Sequence, residues 1–503
     1  MPAKNETATV PGGYDWRQKA GFPLGIVLWG IILLLPSPPG LPPEAQRAAA
    51  VAALMATWWM TEAVPIAVTA LVPLAAYPTL SVMDMRQTAA PYADPNIFLF
   101  MGGFMIATAM QKWGLHKRLG LMIIALIGGG RRRMLLGFMT ATALISMWVS
   151  NTATAVMMLP IAMAVVEHLP ADPPAGKRSL PFGAALMLGI AYSASVGGVA
   201  TLIGTPPNVI FAGQATALFP QLGEVGFVRW MQFALPLAAG FFFFIWGYLA
   251  WRMGPSAGGS GVSREIVAGE LNALGPWSRG EIGVMFIFVA TALAWIGRAD
   301  LTIGPVTLPG WQTLLGLKGV HDGSIAIGAA LLLFSIPVSF KNVEFLLDWE
   351  WAKQLPWDVL LLFGGGFALA ESFRQTGLAA WLVSGLEVFR GIPVVLLVLA
   401  TCFSVTFLTE LTSNTATASL LVPVLAATAT GLGIHPYLLM IPATVSASFA
   451  FMLPVATPPN AIVFGSGYVT IPQMARTGLV LNVMGALWVA LITYTLVEWL
   501  FGI

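Results

Sequence analysis

One polar pentapeptide occurs twice in this chain, each time inside apolar sequence. Ser150-Asn151-Thr152-Ala153-Thr154 returns as Ser413-Asn414-Thr415-Ala416-Thr417. A second phrase follows each copy, Thr205-Pro206-Pro207-Asn208 and Thr457-Pro458-Pro459-Asn460. Ser and Thr hydroxyls and the Asn amide both donate and accept hydrogen bonds. The same residue types cap helix N-termini. Helices starting near Ala153 and Ala416 should therefore present free N–H groups and a partial positive charge at their tips, which suits an anion. Two such tips meeting near the middle of a bilayer would fit a ligand with two carboxylates.

No Arg or Lys lies within ten residues of either pentapeptide. The ligand's charge must be balanced by dipoles and by something mobile, and a co-bound cation fits. Na⁺ is hard and takes oxygen ligands, as other hard cations do. Side-chain oxygens of Ser, Thr and Asn, with carbonyls freed where a helix breaks, can supply them. The breaks at Gly204-Thr205-Pro206-Pro207 and Ala456-Thr457-Pro458-Pro459 fit this role, because proline removes a donor and disturbs the helix ladder. A single Ser-Asn-Thr in a span reads as a cap or as interhelical glue, and a single Thr-Pro-Pro-Asn as a kink. Duplication of both phrases in register favours a site.

The elements that hold these phrases are membrane helices. Apolar residues make up 57% of the 503, charged residues only 9%, against roughly 25% charged in a soluble domain. The length allows about a dozen spans of roughly 20 residues. The net charge of +2 points to no nucleic-acid partner. One cysteine, Cys402, excludes an internal disulfide framework, and no zinc-type Cys/His spacing occurs. Candidate spans lie at 22–36, 46–62, 64–80 and 96–111, then a bent hairpin at 134–166 and a broken helix at 182–219. Further spans lie at 231–251, 281–298, 323–338 and 357–373. A second hairpin at 397–430, a broken helix at 436–468 and a last span at 475–501 complete the chain. Polar, broken backbone at membrane depth is tolerated only where it lines a cavity or is buried in protein.

The duplication reaches beyond the short phrases. At the spacing that relates Ser150 to Ser413, Gly102-Gly103-Phe104 matches Gly365-Gly366-Phe367, Ser146 matches Thr409 and Pro160 matches Pro423. Charge makes the repeat an inverted one. The connection 111–133 carries Lys112, Lys117, Arg118, Arg131, Arg132 and Arg133, whereas its counterpart 374–396 carries Arg374, Arg390 and Glu387. Basic residues collect on the cytoplasmic side. Lys177, Arg178, Arg252, Arg264, Arg279, Lys341 and Lys353 also fall inside if the hairpins dip in from opposite faces without crossing. The expected fold is an all-α polytopic membrane protein with an inverted repeat, about eleven transmembrane helices and two re-entrant hairpins. Its N-terminus is cytoplasmic, after a polar tail with no cleavable signal, and its C-terminus external. Counting each hairpin as two full spans is equally consistent by parity, but its polar tip would then sit in water and need no cavity.

Other residues carry blander expectations. Glu62 and Glu410 could be proton-relay carboxylates or structural ones. Trp58-Trp59, Trp349, Trp351 and Trp357 read as interfacial anchors, and 341–355 as an amphipathic segment along the cytoplasmic interface. His116, His168, His321 and His435 are expected at solvated loop edges.

The paired SNT phrases, each followed by TPPN, resemble the divalent anion/sodium symporter family of di- and tricarboxylate transporters, over about 22–501. The resemblance implies a homodimer whose outer scaffold supports an inner, elevator-type transport unit. After the cytoplasmic tail 1–21, scaffold helices would occupy 22–115 and 256–373. The transport unit would occupy 116–255 and 374–503, with the two hairpins, the two broken helices and the helix after each. The first sodium site would use Ser146, Ser150 and Asn151 with backbone near Gly204. The second would use Thr409, Thr412 and Asn414 with backbone near Ala456. Substrate carboxylates would meet Asn151, Thr152, Asn414 and Thr415, with Thr205, Pro206, Thr457 and Pro458 closing the pocket. Two intact SNT phrases favour dicarboxylates over sulfate. The implied protein is not an enzyme. It is a multi-pass carrier of the inner membrane that brings in succinate-, malate- or fumarate-like dianions with two or more Na⁺. Sodium-independent exchange, a citrate or sulfate carrier and an anion channel are the competing readings.

Overall fold

The computed structural model describes residues 16–168, 180–253, 262–303, 306–317, 319–339, 341, 343–384 and 391–501. Residues 1–15, Lys177, Arg178, Glu387 and Arg390 lie outside the described residues.

Helices dominate because backbone groups in lipid must be satisfied within the segment. In chain order they begin with α1 (Trp16–Leu34), α2 (Pro43–Thr61), and the short α3 (Ile66–Thr69), α4 (Val72–Thr79) and α5 (Met85–Ala89). Next come α6 (Pro95–Lys112), α7 (Leu115–Ile127), α8 (Arg131–Ser146) and α9 (Asn151–Glu167). Then follow α10 (Phe182–Val199), α11 (Pro206–Leu218), α12 (Phe227–Arg252), α13 (Val262–Ala273) and α14 (Arg279–Arg298). The middle of the chain holds α15 (Trp311–Leu314), α16 (Asp322–Ser335), α17 (Trp349–Ala352), α18 (Trp357–Thr376) and α19 (Leu378–Ser384). The last part holds α20 (Val394–Thr409), α21 (Asn414–Gly431), α22 (Tyr437–Ser446), α23 (Pro458–Gly465) and α24 (Ile471–Phe501). Among the described residues six helices are long and apolar enough to cross a bilayer unaided. These are α1, α10, α12, α14, α24 and the stretch Met85–Lys112 that ends in α6.

The expected hairpins are present as α8–α9 and α20–α21, with turns at 147–150 and 410–413. The expected breaks fall between α10 and α11 and between α22 and α23. The two repeats interleave. Helix α9 packs on α10 of its own repeat and on α23 of the other, while α21 packs on α22 and on α11. Each hairpin thus leans on one half-helix from each repeat. Every residue of α10 is buried, as expected of a helix that is apolar all round. The main core runs through both hairpins and both broken helices. A second core cluster joins Trp59, Tyr77, Leu362, Leu369 and Phe373 and reaches Ala416 on α21.

Several expectations are corrected. The fold is not purely α. Two antiparallel two-stranded ribbons pair β1 (Leu301–Ile303) with β2 (Val306–Leu308) and β3 (Pro337–Ser339) with β4 (Glu344–Phe345). The 341–355 segment, read as amphipathic, holds β4 and then the single turn of α17, which the Asp348 side chain starts by accepting from Trp351 N at 3.1 Å. Trp59 is fully buried and donates its indole N–H to Ile66 O at 3.1 Å, so it is a core residue rather than an anchor. His116 is half-buried on α7, and its ring bonds Met110 O at 3.1 Å. His321 caps α16 by accepting from Gly323 N at 2.9 Å. Helices α7, α13 and α19 lie in stretches read as connections. They are short, and α7 and α13 are amphipathic rather than uniformly apolar, which a search for membrane spans passes over.

Candidate functional site

The hairpin turns carry out what their residue types dictate. Ser150 is the N-cap of α9, and its hydroxyl accepts from Ala153 N at 3.3 Å. Asn151 and Asn414 begin α9 and α21, so each amide lies at the positive end of a helix. Thr205 and Thr457 are the N-caps of α11 and α23, each followed by two prolines in the first turn. Proline is tolerated there because the first N–H groups have no intrahelical partner. Four helix N-termini, two per repeat, therefore belong to the interleaved hairpin and half-helix bundle.

Behind each Asn the same oxygen cluster recurs. The Ser146 hydroxyl contacts Asn151 Oδ1 and, at 2.8 Å, Ala194 O. The Thr409 hydroxyl lies 2.7 Å from Asn414 Oδ1 and 2.9 Å from Ala447 O. One hydroxyl hydrogen cannot serve two acceptors fully. Each cluster is rich in oxygen lone pairs and poor in hydrogen, which is the donor set of a hard cation such as Na⁺. Ser146 and Thr409 are completely buried.

The breaks close around these clusters. A Cβ on Gly198 would stand 2.6 Å from Asn151 Oδ1, and one on Gly204 2.3 Å from Gly198 O. Only glycine allows this backbone to pass so close to the amide. The Asn of each TPPN phrase holds its own break. Asn208 Nδ2 reaches Gly198 O at 3.1 Å, Val199 O at 3.2 Å and Thr201 O at 2.7 Å. Asn460 Nδ2 reaches Ala450 O at 3.1 Å and Leu453 O at 3.0 Å. The Thr201 hydroxyl donates to Met147 O and ties the first break to its hairpin.

Of the sequence-predicted residues, Ser146, Asn151 and the Gly204 segment come together, as do Thr409 and Asn414. Thr412 turns back on its own hairpin, bonding Leu408 O at 3.0 Å and the Thr417 hydroxyl at 2.7 Å. The Ala456 N–H bonds Leu453 O at 3.2 Å within the second break. Thr152 and Pro458 are exposed, and Asn151, Pro206, Asn414 and Thr415 half-buried, so both tips can be reached from outside the core. Thr205 and Thr457 are buried.

Three features escape the motif reading. Ala194 and Ala447 supply carbonyls from a third duplicated phrase, Ser193-Ala194-Ser195 and Ser446-Ala447-Ser448. Its spacing differs by one residue from that of TPPN, so the stretch from Ser193 to Thr205 is one residue longer than that from Ser446 to Thr457. Gly198 has no matching glycine in the second copy. Glu410 is a buried carboxylate bonded to the backbone of 451–453.

A cavity of about 580 Å³ opens elsewhere, beside the start of α12 and the end of α14. Arg298 there is already paired with Asp322 at 2.6 Å and Glu224 at 2.8 Å. The lining carries Glu224, Asp300 and Asp322 against Arg229 and Arg298, so its charge does not favour a dianion.

The comparisons with known proteins agree with the duplicated phrases. A family model described as the sodium:sulfate symporter transmembrane region matches residues 18–503. The chain belongs to this divalent anion:sodium symporter family. Two similar members are called sodium-dependent dicarboxylate transporter SdcS. The one from Staphylococcus saprophyticus is 39% identical over 97% of this chain and 93% of its own length. The one from Staphylococcus aureus strain RF122 is 41% identical over 97% and 92%. Among solved structures, the Alcanivorax borkumensis YdaH transporter aligns with TM-score 0.54 at 16% identity, covering 96% of this chain and 97% of that one. Neisseria gonorrhoeae MtrF aligns with TM-score 0.52 at 13% identity, covering 94% of each. At such low identity these two speak for a shared fold alone. As a symporter-family member with several bilayer-length helices, the chain is a multi-pass membrane protein.

Proposed function

We propose that the protein is a secondary transporter that carries C4-type dicarboxylates such as succinate, malate or fumarate across the cytoplasmic membrane, driven by Na⁺ entry. The observation that carries this reading is the matched pair of oxygen clusters, Ser146–Asn151–Ala194 and Thr409–Asn414–Ala447, each set at a helix N-terminus. The relatives' names support the coupling and the substrate class.

Each cluster takes one Na⁺ through its oxygens. The cation draws Asn151 or Asn414 into a fixed position and adds positive charge behind the helix tip. A dicarboxylate then binds between the tips, touching Asn151, Thr152, Asn414 and Thr415, with Thr205, Pro206, Thr457 and Pro458 closing the pocket. Ser150, Thr412 and the backbone at Gly204 and Ala456 complete the cation shells. With neither Arg nor Lys within ten residues of either tip along the sequence, a dianion held by helix dipoles alone leaves uncompensated charge in a low-dielectric setting, which costs several kcal/mol or more. Binding therefore requires both charges together, and that is coupling.

The transport unit, 116–255 with 374–503, moves as an elevator against a scaffold of 22–115 and 256–373. The scaffold pairs two copies of the chain. The N-terminus faces the cytoplasm and the C-terminus the outside.

Succinate uptake into proteoliposomes, with an inward Na⁺ gradient or with choline in place of Na⁺, tests the reading. Uptake that needs Na⁺ is the expected result. Uptake indifferent to choline but stimulated by internal succinate would make the protein an exchanger, and non-saturating flux a channel.

A further inference from the structure

The two oxygen clusters are built alike, but the residues that follow their hydroxyls differ. Met147 follows Ser146, whereas Glu410 follows Thr409. Glu410 is 3% exposed, and its carboxylate gathers four donors. Oε1 accepts from Phe451 N at 2.7 Å, Met452 N at 2.9 Å and Asn482 Nδ2 at 2.7 Å. Oε2 accepts from Leu453 N at 3.0 Å. Four donors and no acceptor match an ionised carboxylate. The three N–H groups belong to the break between α22 and α23, just past the Ala447 carbonyl that joins the second cluster. The break is held from two further sides. Tyr192 of the first repeat donates to Phe451 O at 2.9 Å. Helix α24 presses in so closely that a Cβ on Gly478 would stand 2.1 Å from the same oxygen. The first repeat makes its matching tie with a neutral pair, the Thr201 hydroxyl and Met147 O, and hairpin 1 carries no acid from Arg131 to Val166.

We propose that Glu410 is a positioning residue that makes the second cation site the stronger of the two, so that it fills first. Its charge is fixed one residue from Thr409, in surroundings where attraction is weakly screened. Its bonds to the break keep Ala447 O aimed at the Thr409 hydroxyl. The proposal rests on the Na⁺ reading above and adds an order to the binding.

The test titrates Na⁺ against purified protein and reads thermal stabilisation and succinate uptake. S146A keeps the second site and T409A the first. Half-saturating Na⁺ for stabilisation should be lower in S146A than in T409A by about tenfold, the factor that corresponds to about 1.4 kcal/mol. E410Q should raise half-saturating Na⁺ for uptake by on the order of tenfold while high Na⁺ restores the maximal rate. N482A, which removes one donor and keeps the charge, should shift it less. Equal half-saturation in S146A and T409A overturns the proposal. So does an E410Q protein that loses maximal rate with no change in Na⁺ dependence, since that is a structural role only. If E410Q does not insert, the S146A and T409A pair decides. A wild type that ignores Na⁺ altogether sinks the coupling reading instead, and is told apart by that control.

Discussion

The Thr409 hydroxyl stands 2.7 Å from Asn414 Oδ1, and the Ser146 hydroxyl makes the same contact with Asn151 in the other half of the chain. In each pair the hydroxyl ends the first arm of a hairpin and the amide begins the second arm. The contact therefore closes the hairpin across its polar turn. It also orients the amide, leaving Nδ2 available to a ligand while Oδ1 stays in the cluster.

Replacing either amide should abolish transport without unfolding the protein. For N151A and N414A we expect succinate uptake to fall at least tenfold, a loss of about 1.4 kcal/mol or more in binding. Membrane insertion and elution on gel filtration should be unchanged. Near-normal uptake in both variants would remove these residues from the site.

The close approach of the first break to Asn151 makes its glycines intolerant. G198A places a methyl 2.6 Å from Asn151 Oδ1, and G204A places one 2.3 Å from backbone. Overpacking of this kind costs about 1–3 kcal/mol. Both variants should lower the melting temperature, and G198A should also weaken Na⁺ stimulation because it displaces a cluster oxygen. A G198A protein with wild-type Na⁺ dependence would contradict the placement.

Asn208 and Asn460 hold the breaks rather than the cargo. N208A leaves carbonyls of Gly198, Val199 and Thr201 without their shared donor. Buried acceptors left unpaired cost about 1–3 kcal/mol. We expect a lowered melting temperature in N208A and N460A, with the apparent affinity for succinate less affected than in N151A. Chemical unfolding followed beside an uptake titration separates the two effects.

Away from the hairpins, Lys112 at the end of α6 pairs with Asp348 at 2.8 Å. Burial pushes the Asp348 carboxyl up, but the Lys112 ammonium and the Trp351 N–H outweigh it and hold it below the ordinary carboxylate range. A depressed folded value gives stability that is present above the unfolded value, about 3.9, and lost as pH falls through the lower folded one. The wild type should therefore melt above D348N at pH 7, and the gap should close below about pH 4. A gap that persists in acid would mean the pair is not what separates them.

Sequence alone determined a good deal here. Polar residues inside apolar runs cannot be hidden from lipid without a partner, so the two SNT phrases and the two proline breaks announced themselves. Their fixed spacing disclosed the repeat, and their residue types the N-cap seen at Ser150. Tertiary structure decided what spacing cannot carry. The carbonyls of Ala194 and Ala447 join the clusters through backbone, which leaves no mark in side-chain identity. The crossing of α9 onto α23 and of α21 onto α11 brings together residues hundreds of positions apart. Glu410 reads in sequence as an acid of uncertain role. It becomes an anchor only when the chain folds the N–H groups of Phe451, Met452 and Leu453 onto it, because a buried carboxylate takes its meaning from the donors that surround it.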